Sequence, residues 1–353
     1  MIQVNIPALD LQAGDEAEAY SATLTKPVGS LGRLEELAVE LARMKGTRTL
    51  EITPPGILVF AADHGVVREG VSAFPQEVTV QMVSNIVQGG AAINVFGRQI
   101  GATFQVVDVG VAGEVAEEAV SPRKIRPGTG SFLTELAMTR EEAEQAVAVG
   151  YSEAERLLEN GMKCLIVGEV GIGNTTASSA VLSAITGADP ASIVGYGTGI
   201  SSVQHERKIA VVREAVERHK PDSQDAYDIL SKVGGLEMGA MAGAMLAAAE
   251  NRVPILLDGF ICTVSALLAK LIDPRVADYM ILSHQSAEPG HLTAIQHIRK
   301  QPIVQLDMRL GEGTGAAVAF PILQAAVHMI NEMATFESAG VAGKEEDSSA
   351  TLS

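Results

Sequence analysis

Six short apolar runs, at 57–62, 104–109, 163–168, 254–258, 279–283 and 303–307, each finish in a polar turn that carries glycine, an acid or histidine. The turns read AADHG (61–65), VVDVG (106–110), VGEVGIGNTT (167–176), LLDGF (256–260), LSHQSAEPGH (282–291) and LDMRLGEGTGA (306–316). Between them lie longer stretches of helical spacing. Short strands alternating with helices build an α/β fold, a parallel sheet wrapped by helices, because parallel neighbours need a crossover that a helix supplies. In an open sheet of this kind ligands bind outside the carboxyl ends of the strands, where glycine lets backbone approach them. One acid followed by glycine is an ordinary turn or helix cap. Six such strand ends in one chain predict one cleft.

Helical spacing predicts helices over 30–45, 81–97, 139–160, 175–186, 206–219, 225–250, 291–300 and 314–335. The first is expected to begin at Ser30, with Arg33, Glu35 and Glu36 on its polar side, and it precedes the first strand. A matching amphipathic stretch follows the last one. The two are expected to pack as a small helical domain, from 1–50 and 318–337, beside a large α/β domain over 51–317. Residues 338–353 are polar and aperiodic, and are expected to be a disordered tail.

A formal net charge of −17 without a basic stripe excludes a nucleic-acid partner, since phosphate backbones are held by clustered Lys and Arg. An anionic small substrate would have to be met by backbone amides, helix N-termini and a few basic side chains. Cys164 and Cys262 lie in apolar runs with no CxxC spacing, as buried thiols of a reducing compartment do. Residues 1–10 lack the basic and apolar regions of a secretory signal, so a cytoplasmic protein is expected. The apolar stretches at 237–249 and after Gly313 are interrupted by Glu237, glycines, Pro321, Gln324 and His328, and no membrane span is expected.

GIGNTT, Gly171 to Thr176, has the form of a phosphate cradle. Its glycines expose N–H groups, and Asn174, Thr175 and Thr176 stand where they would cap the next helix and aim its positive end at an anion. The third glycine of a dinucleotide fingerprint is missing, with Ala177 near its place, and no Walker lysine follows. GYGTGI (195–200) and GEGTGAA (311–317) are further glycine turns opening helices. His64, His284 and His291 lack any closed zinc spacing and are read as strand-end hydrogen-bonding groups, so no metal is expected. Glu237, among small residues and methionines, reads as one paired acid on a packing helix.

Longer motifs narrow the field. KPVGSLGRLE (26–35), AADHGV (61–66), GVSAFPQEVTVQM (70–82), GEVGIGNTT (168–176), DGF (258–260), SHQSAEPGH (283–291) and LDMRLGEGTGAA (306–317) resemble, in order, the nicotinate-nucleotide:dimethylbenzimidazole phosphoribosyltransferase family. The resemblance implies a Rossmann-like sheet with a small helical domain from both chain ends, a homodimer, and neither metal nor organic cofactor. It implies transfer of ribose phosphate from nicotinate mononucleotide to a benzimidazole-type base, the step that prepares the cobalamin lower ligand. Glu312 matches the family's general base, and Glu169 a second acid of the site. Gly171, Gly173, Asn174, Thr175, Gly197 and Lys208 would hold the nucleotide. The segment from Ser72 to Gln81, with Ser72, Phe74 and Gln81 as base-binding candidates, would border the base pocket. A catalytically silent paralogue that binds nucleotide or base remains an alternative, as does a nicotinamide-dependent oxidoreductase, which the broken fingerprint disfavours.

Overall fold

The structure is a computed structural model and describes residues 2–115 and 118–342. The chain divides into two units: Met1–Ala8 with Ile52–Pro321, and Leu9–Glu51 with Ile322–Ser353.

The first unit is built on a six-stranded sheet of β1 (Pro55–Ala62), β2 (Thr103–Gly110), β3 (Val120–Pro122), β4 (Cys164–Val170), β5 (Ile255–Leu257) and β6 (Met280–Leu282). All neighbours are parallel, in the order β3-β2-β1-β4-β5-β6. β1 and β4 are buried at every position, which explains why they read as unbroken apolar runs and not as alternating ones. The strand order reverses between β1 and β4, and there the doubly wound arrangement leaves its crevice. The register sets Phe60 beside Glu169 and Ala61 beside Val170, so both strands end at one level. Just beyond, a Cβ on Gly171 would overlap the carbonyl oxygen of Ala62.

Two strand expectations need correction. The run at 303–307 forms only β8 (Val304–Gln305), which pairs with β7 (His284–Gln285) in a separate two-stranded sheet. β3 was not expected: it is three residues long and contains Ser121 and Pro122, a composition that suits only a sheet edge.

The helices are α1 (Leu11–Ser21), α2 (Arg33–Lys45), α3 (Val78–Val87), α4 (Ala92–Gln99), α5 (Arg140–Glu159), α6 (Asn174–Thr186) and α7 (Pro190–Ile193). They continue as α8 (Ser202–His219), α9 (Ala226–Val233), α10 (Leu236–Glu250), α11 (Phe260–Ile272), α12 (Gly290–Ile298), α13 (Thr314–Glu332) and α14 (Phe336–Ala339). The helix expected over 81–97 is two, α3 and α4, parted at Gly89 and Gly90; that over 225–250 is α9 and α10, parted at Gly234 and Gly235. α10 is apolar all round and buried from Leu236 to Ala249, as an interior helix must be. It lies so close to α5 that a Cβ on Gly150 would overlap Ala240 O, and one on Gly243 would overlap Val147 O.

Residues 1–8, assigned from sequence to the helical segment, group instead with the α/β unit. Ile6 is fully buried, Asn5 N–H donates to Glu250 Oε1 (2.9 Å), and Tyr279 O–H donates to Pro7 O (3.0 Å). The second unit contains α1, α2 and the segments after Pro321. Its chain ends are tied by Leu50 and Asn331, whose side chain accepts from Leu50 N (3.2 Å) and donates to Leu50 O (2.8 Å). α2 begins at Arg33 and not at Ser30, because Gly32 takes a φ of +49° and Glu35 turns back to accept from Gly29 N and Leu31 N. α14 reaches into the start of the segment expected to be disordered, and that segment's last eleven residues, 343–353, lie outside the described residues. α13 is long and apolar enough to cross a membrane, yet 61% of its most apolar window is buried inside the protein, as in a core helix.

Candidate active site

Glu169 is the last residue but one of β4, and Gly171 to Gly173 turn the chain into α6. The expected side-chain cap does not form. Gly173, at φ +99°, precedes the helix with no cap bond, Asn174 Nδ2 donates to Glu169 Oε2, and Thr175 Oγ1 accepts from Lys208 Nζ (2.9 Å). The positive end of α6 is left without a side-chain partner. The turn is fixed from outside: Ile172 N–H donates to Thr79 Oγ1 (3.1 Å), and the Thr79 hydroxyl donates to Asp63 Oδ1 (2.6 Å).

Lys208, on α8, is buried, and its ammonium also donates to Gly195 O (3.2 Å). Burial lowers its pKa to about 8, partly opposed by the charge of Glu288. Gly197, at φ +54°, passes so near that a Cβ would stand 3.2 Å from Thr175 Oγ1 and 3.5 Å from Lys208 Nζ.

Across the sheet's end, Glu312 holds φ +64° between Gly311 and Gly313, the start of the turn into α13. Gly168 makes this possible, since a Cβ there would overlap the Glu312 carbonyl; a Cβ on Gly311 would overlap Glu169 Oε1. The Glu312 carboxyl accepts from the Ile93 N–H in the first turn of α4, and its Oε2 is buried without a hydrogen-bond partner. Burial raises its pKa, with the charge of Asp258 adding to the effect. Glu169 is held well above the ordinary carboxylate range by burial and then by Glu237, Asp258 and Glu312, against one bond from the Glu312 N–H. Both carboxyls therefore hold protons more tightly than free glutamate does.

Further buried groups lie at the strand ends, read from the sequence as strand-end residues or, for Glu237, as a paired acid on a packing helix. Asp258 follows β5 and accepts from Gly313 N (3.2 Å), Gly315 N (2.7 Å) and Ala316 N (3.1 Å), with His284 Nε2 at 3.4 Å. His64 Nε2 meets Glu237 Oε1 at 2.9 Å, both side chains fully buried. Burial alone would lower the His64 pKa, but the charge and hydrogen bond of Glu237, with Asp63 beyond, raise it. His291 Nδ1 accepts from Ser286 N (2.7 Å), and burial lowers its pKa to about 4, so its ring is neutral at pH 7. Among the described residues no group of three or more His, Cys, Asp or Glu could hold a metal ion.

Two adjoining cavities open at these strand ends. One is lined by Glu169, Asp258, Cys262, His284 and Arg309, the other by Ser72, Gly171, Gly173 and Lys208; Asn174, Thr175, Gly197 and Thr198 belong to both. Ser72 is tied to the first turn of α8, where Gln204 Nε2 donates to Ser72 O (3.2 Å). Phe74 and Gln81 line neither cavity and are exposed on the segment that leads into and along α3. A buried ammonium beside an uncapped helix N-terminus suits a phosphate, and a desolvated carboxyl with an unpartnered oxygen suits proton abstraction.

A phosphoribosyltransferase family model matches residues 6–341. The nicotinate-nucleotide–dimethylbenzimidazole phosphoribosyltransferase of Chloroflexus aggregans is 49% identical over 344 residues, 97% of each chain. That of Halalkalibacterium halodurans is 48% identical over 343 residues, 97% of this chain and 96% of its own. The solved structure of the Thermus thermophilus enzyme of the same name superposes with a TM-score of 0.90 at 42% identity, covering 95% of this chain and 100% of that one.

Proposed function

The chain belongs to the nicotinate-nucleotide–dimethylbenzimidazole phosphoribosyltransferase family, and from that premise we propose how its residues carry the transfer. It is a phosphoribosyltransferase of cobalamin lower-ligand assembly, taking nicotinate mononucleotide and 5,6-dimethylbenzimidazole to α-ribazole 5′-phosphate and nicotinate. The observation that carries the assignment of roles is the meeting of Glu169 and Glu312, where the Glu312 N–H donates to the Glu169 carboxyl, with Glu169 lining the cavity that adjoins the one of Lys208.

In the nucleotide the leaving nitrogen is a cationic pyridinium, so cleavage of the C1′–N bond releases neutral nicotinate nitrogen and needs no general acid. The incoming base attacks through one ring nitrogen and must lose the proton from the other. Glu312 takes that proton, a contribution of about 10²- to 10⁴-fold in such catalysis. Lys208, the open end of α6 and the amides of Gly171 to Gly173 hold the 5′-phosphate, while Asn174, Thr175 and Gly197 wall the ribose. Remote binding energy at the phosphate then sets C1′ against the attacking nitrogen.

Glu169 faces C1′ as positive charge grows there. Its burial favours the protonated form in the empty site, and the pyridinium nucleotide favours the ionised one, so binding of the substrate draws its proton away. Ser72, Phe74 and Gln81 border the base; the exposure of Phe74 and Gln81 fits contacts completed only when the base is bound. The chain works as a homodimer in the cytoplasm, where Cys164 and Cys262, both buried and outside any disulfide, stay reduced.

The test is direct. The purified chain is incubated with nicotinate mononucleotide and a panel of benzimidazoles, purines and phenols, and products are identified by mass and by the anomeric proton signal. With no nucleophilic side chain assigned to C1′, a single displacement must invert that centre. An α-ribotide is expected; a β product, or exchange of labelled nicotinate without base, overturns the one-step course. Equilibrium sedimentation checks the dimer, which a monomer at assay concentration would refute.

A further inference from the structure

We propose that Asp258 is a positioning residue for the transfer: by holding the first amides of α13 it fixes the backbone of Glu312 in the conformation that presents the base. The inference rests on the role given to Glu312 above.

Glu312 stands in the left-handed region with a side chain, a state kept only where the surroundings impose it. What imposes it is visible on both sides. Behind Glu312, Gly168 and Gly311 leave the space its peptide fills. Ahead of it, one carboxylate gathers the N–H groups of Gly313, Gly315 and Ala316. Asp258 thus satisfies the free donors at the start of α13, and the first of them belongs to the peptide that leaves Glu312. Asp258 is itself anchored, because its N–H donates to Cys262 Sγ (3.3 Å) and it directly follows β5, which is paired on both sides by β4 and β6. Gly315 lets His284 close the other side, since a Cβ there would overlap that ring.

The same carboxylate acts through charge. The groups facing Glu312 are Asp258 after β5, Glu169 on β4 and the Ile93 N–H of α4, with His284 of β7 touching Asp258 and Glu237 of α10 acting on Glu169. Removing the negative charge of Asp258 leaves Glu312 easier to ionise. A residue that merely braced the fold would move stability and leave the titration of the base where it is.

The experiment uses the full chain as Asp258→Asn and Asp258→Glu, with thermal unfolding to establish that each is folded, and measures kcat against pH and KM for nicotinate mononucleotide separately. For Asp258→Asn we expect kcat to fall about 10- to 100-fold, the scale of a small displacement of a reacting group. KM for the nucleotide should stay within a few-fold, and the acid limb of kcat should move to lower pH. Asp258→Glu keeps the charge but misplaces the amides, so kcat should fall with the acid limb unmoved. Wild-type kcat in either folded variant, or an acid limb unmoved in Asp258→Asn, overturns the proposal; if Asp258→Asn does not fold, kcat in Asp258→Glu decides it. A failure of the base assignment is distinguishable, because Glu312→Gln would then keep both turnover and its acid limb.

Discussion

In the mechanism proposed above, burial sets the pH range over which Glu312 and Lys208 can work. The pKa of Glu312 is raised, so the free base is present only above that raised value and kcat should decline as pH falls through it. Glu312→Gln keeps the shape and cannot accept the proton; kcat should drop by at least about 10²-fold with the nucleotide KM nearly unchanged. Steady-state kinetics within a few-fold of wild type would remove Glu312 from the role. For Lys208 the sign is opposite. Its pKa is lowered to about 8, and the charged form proposed to hold phosphate is lost as pH rises through that value. kcat/KM for the nucleotide should therefore fall above pH 8, and Lys208→Met should raise KM and abolish that basic limb; a limb that survives in the variant belongs to another group.

Elements set where these residues can stand, and the contact of α5 with α10 is the tightest case. A methyl at Gly150 or Gly243 would drive into a carbonyl of the facing helix, so both helices must part. Gly150→Ala should destabilise the fold by about 1–3 kcal/mol, the usual cost of overpacking, and lower the unfolding temperature while kcat below the transition stays near wild type. An unchanged unfolding temperature would show that the helices yield without cost. At this level the sequence was legible where an element is long or apolar: β1, β2 and β4 appear as runs, and α5 shows its helical spacing over twenty residues. It was not legible where a short signal competes with a longer one. α3 and α4 share one apolar rhythm across Gly89, and β3 has too few residues to show any. The candidate site divides the same way. The glycine turns are read from adjacent residues and Glu169 and Glu312 are picked out by the resemblance of the motifs around them, whereas the amides that meet Asp258 come 55 to 58 residues later, a pairing only the folded sheet creates.

The whole molecule carries a net charge of −17 and binds an anionic nucleotide, so its long-range field opposes the substrate while its buried site attracts it. Salt screens the first over a distance of about 8 Å at 0.15 M and reaches the second much less. kcat/KM for nicotinate mononucleotide should thus rise as ionic strength goes from about 0.02 to 0.15 M, while kcat/KM for the uncharged benzimidazole stays flat. A fall for the nucleotide would mean that its phosphate is held mainly by exposed charge.

The seating of the first residues on the α/β unit has a consequence for how the chain is made. Asn5 and Pro7 bond to Glu250 and Tyr279, and Arg252 Nη2 donates to Ala8 O (3.2 Å). During synthesis residues 5–8 emerge before their partners, which follow some 240 to 270 residues later. At about 5–20 residues per second the buried side chain of Ile6 waits many seconds without its socket. Residues 5–8 thus leave the exit tunnel long before the residues that seat them, and nascent-chain binding factors would meet them exposed throughout that interval.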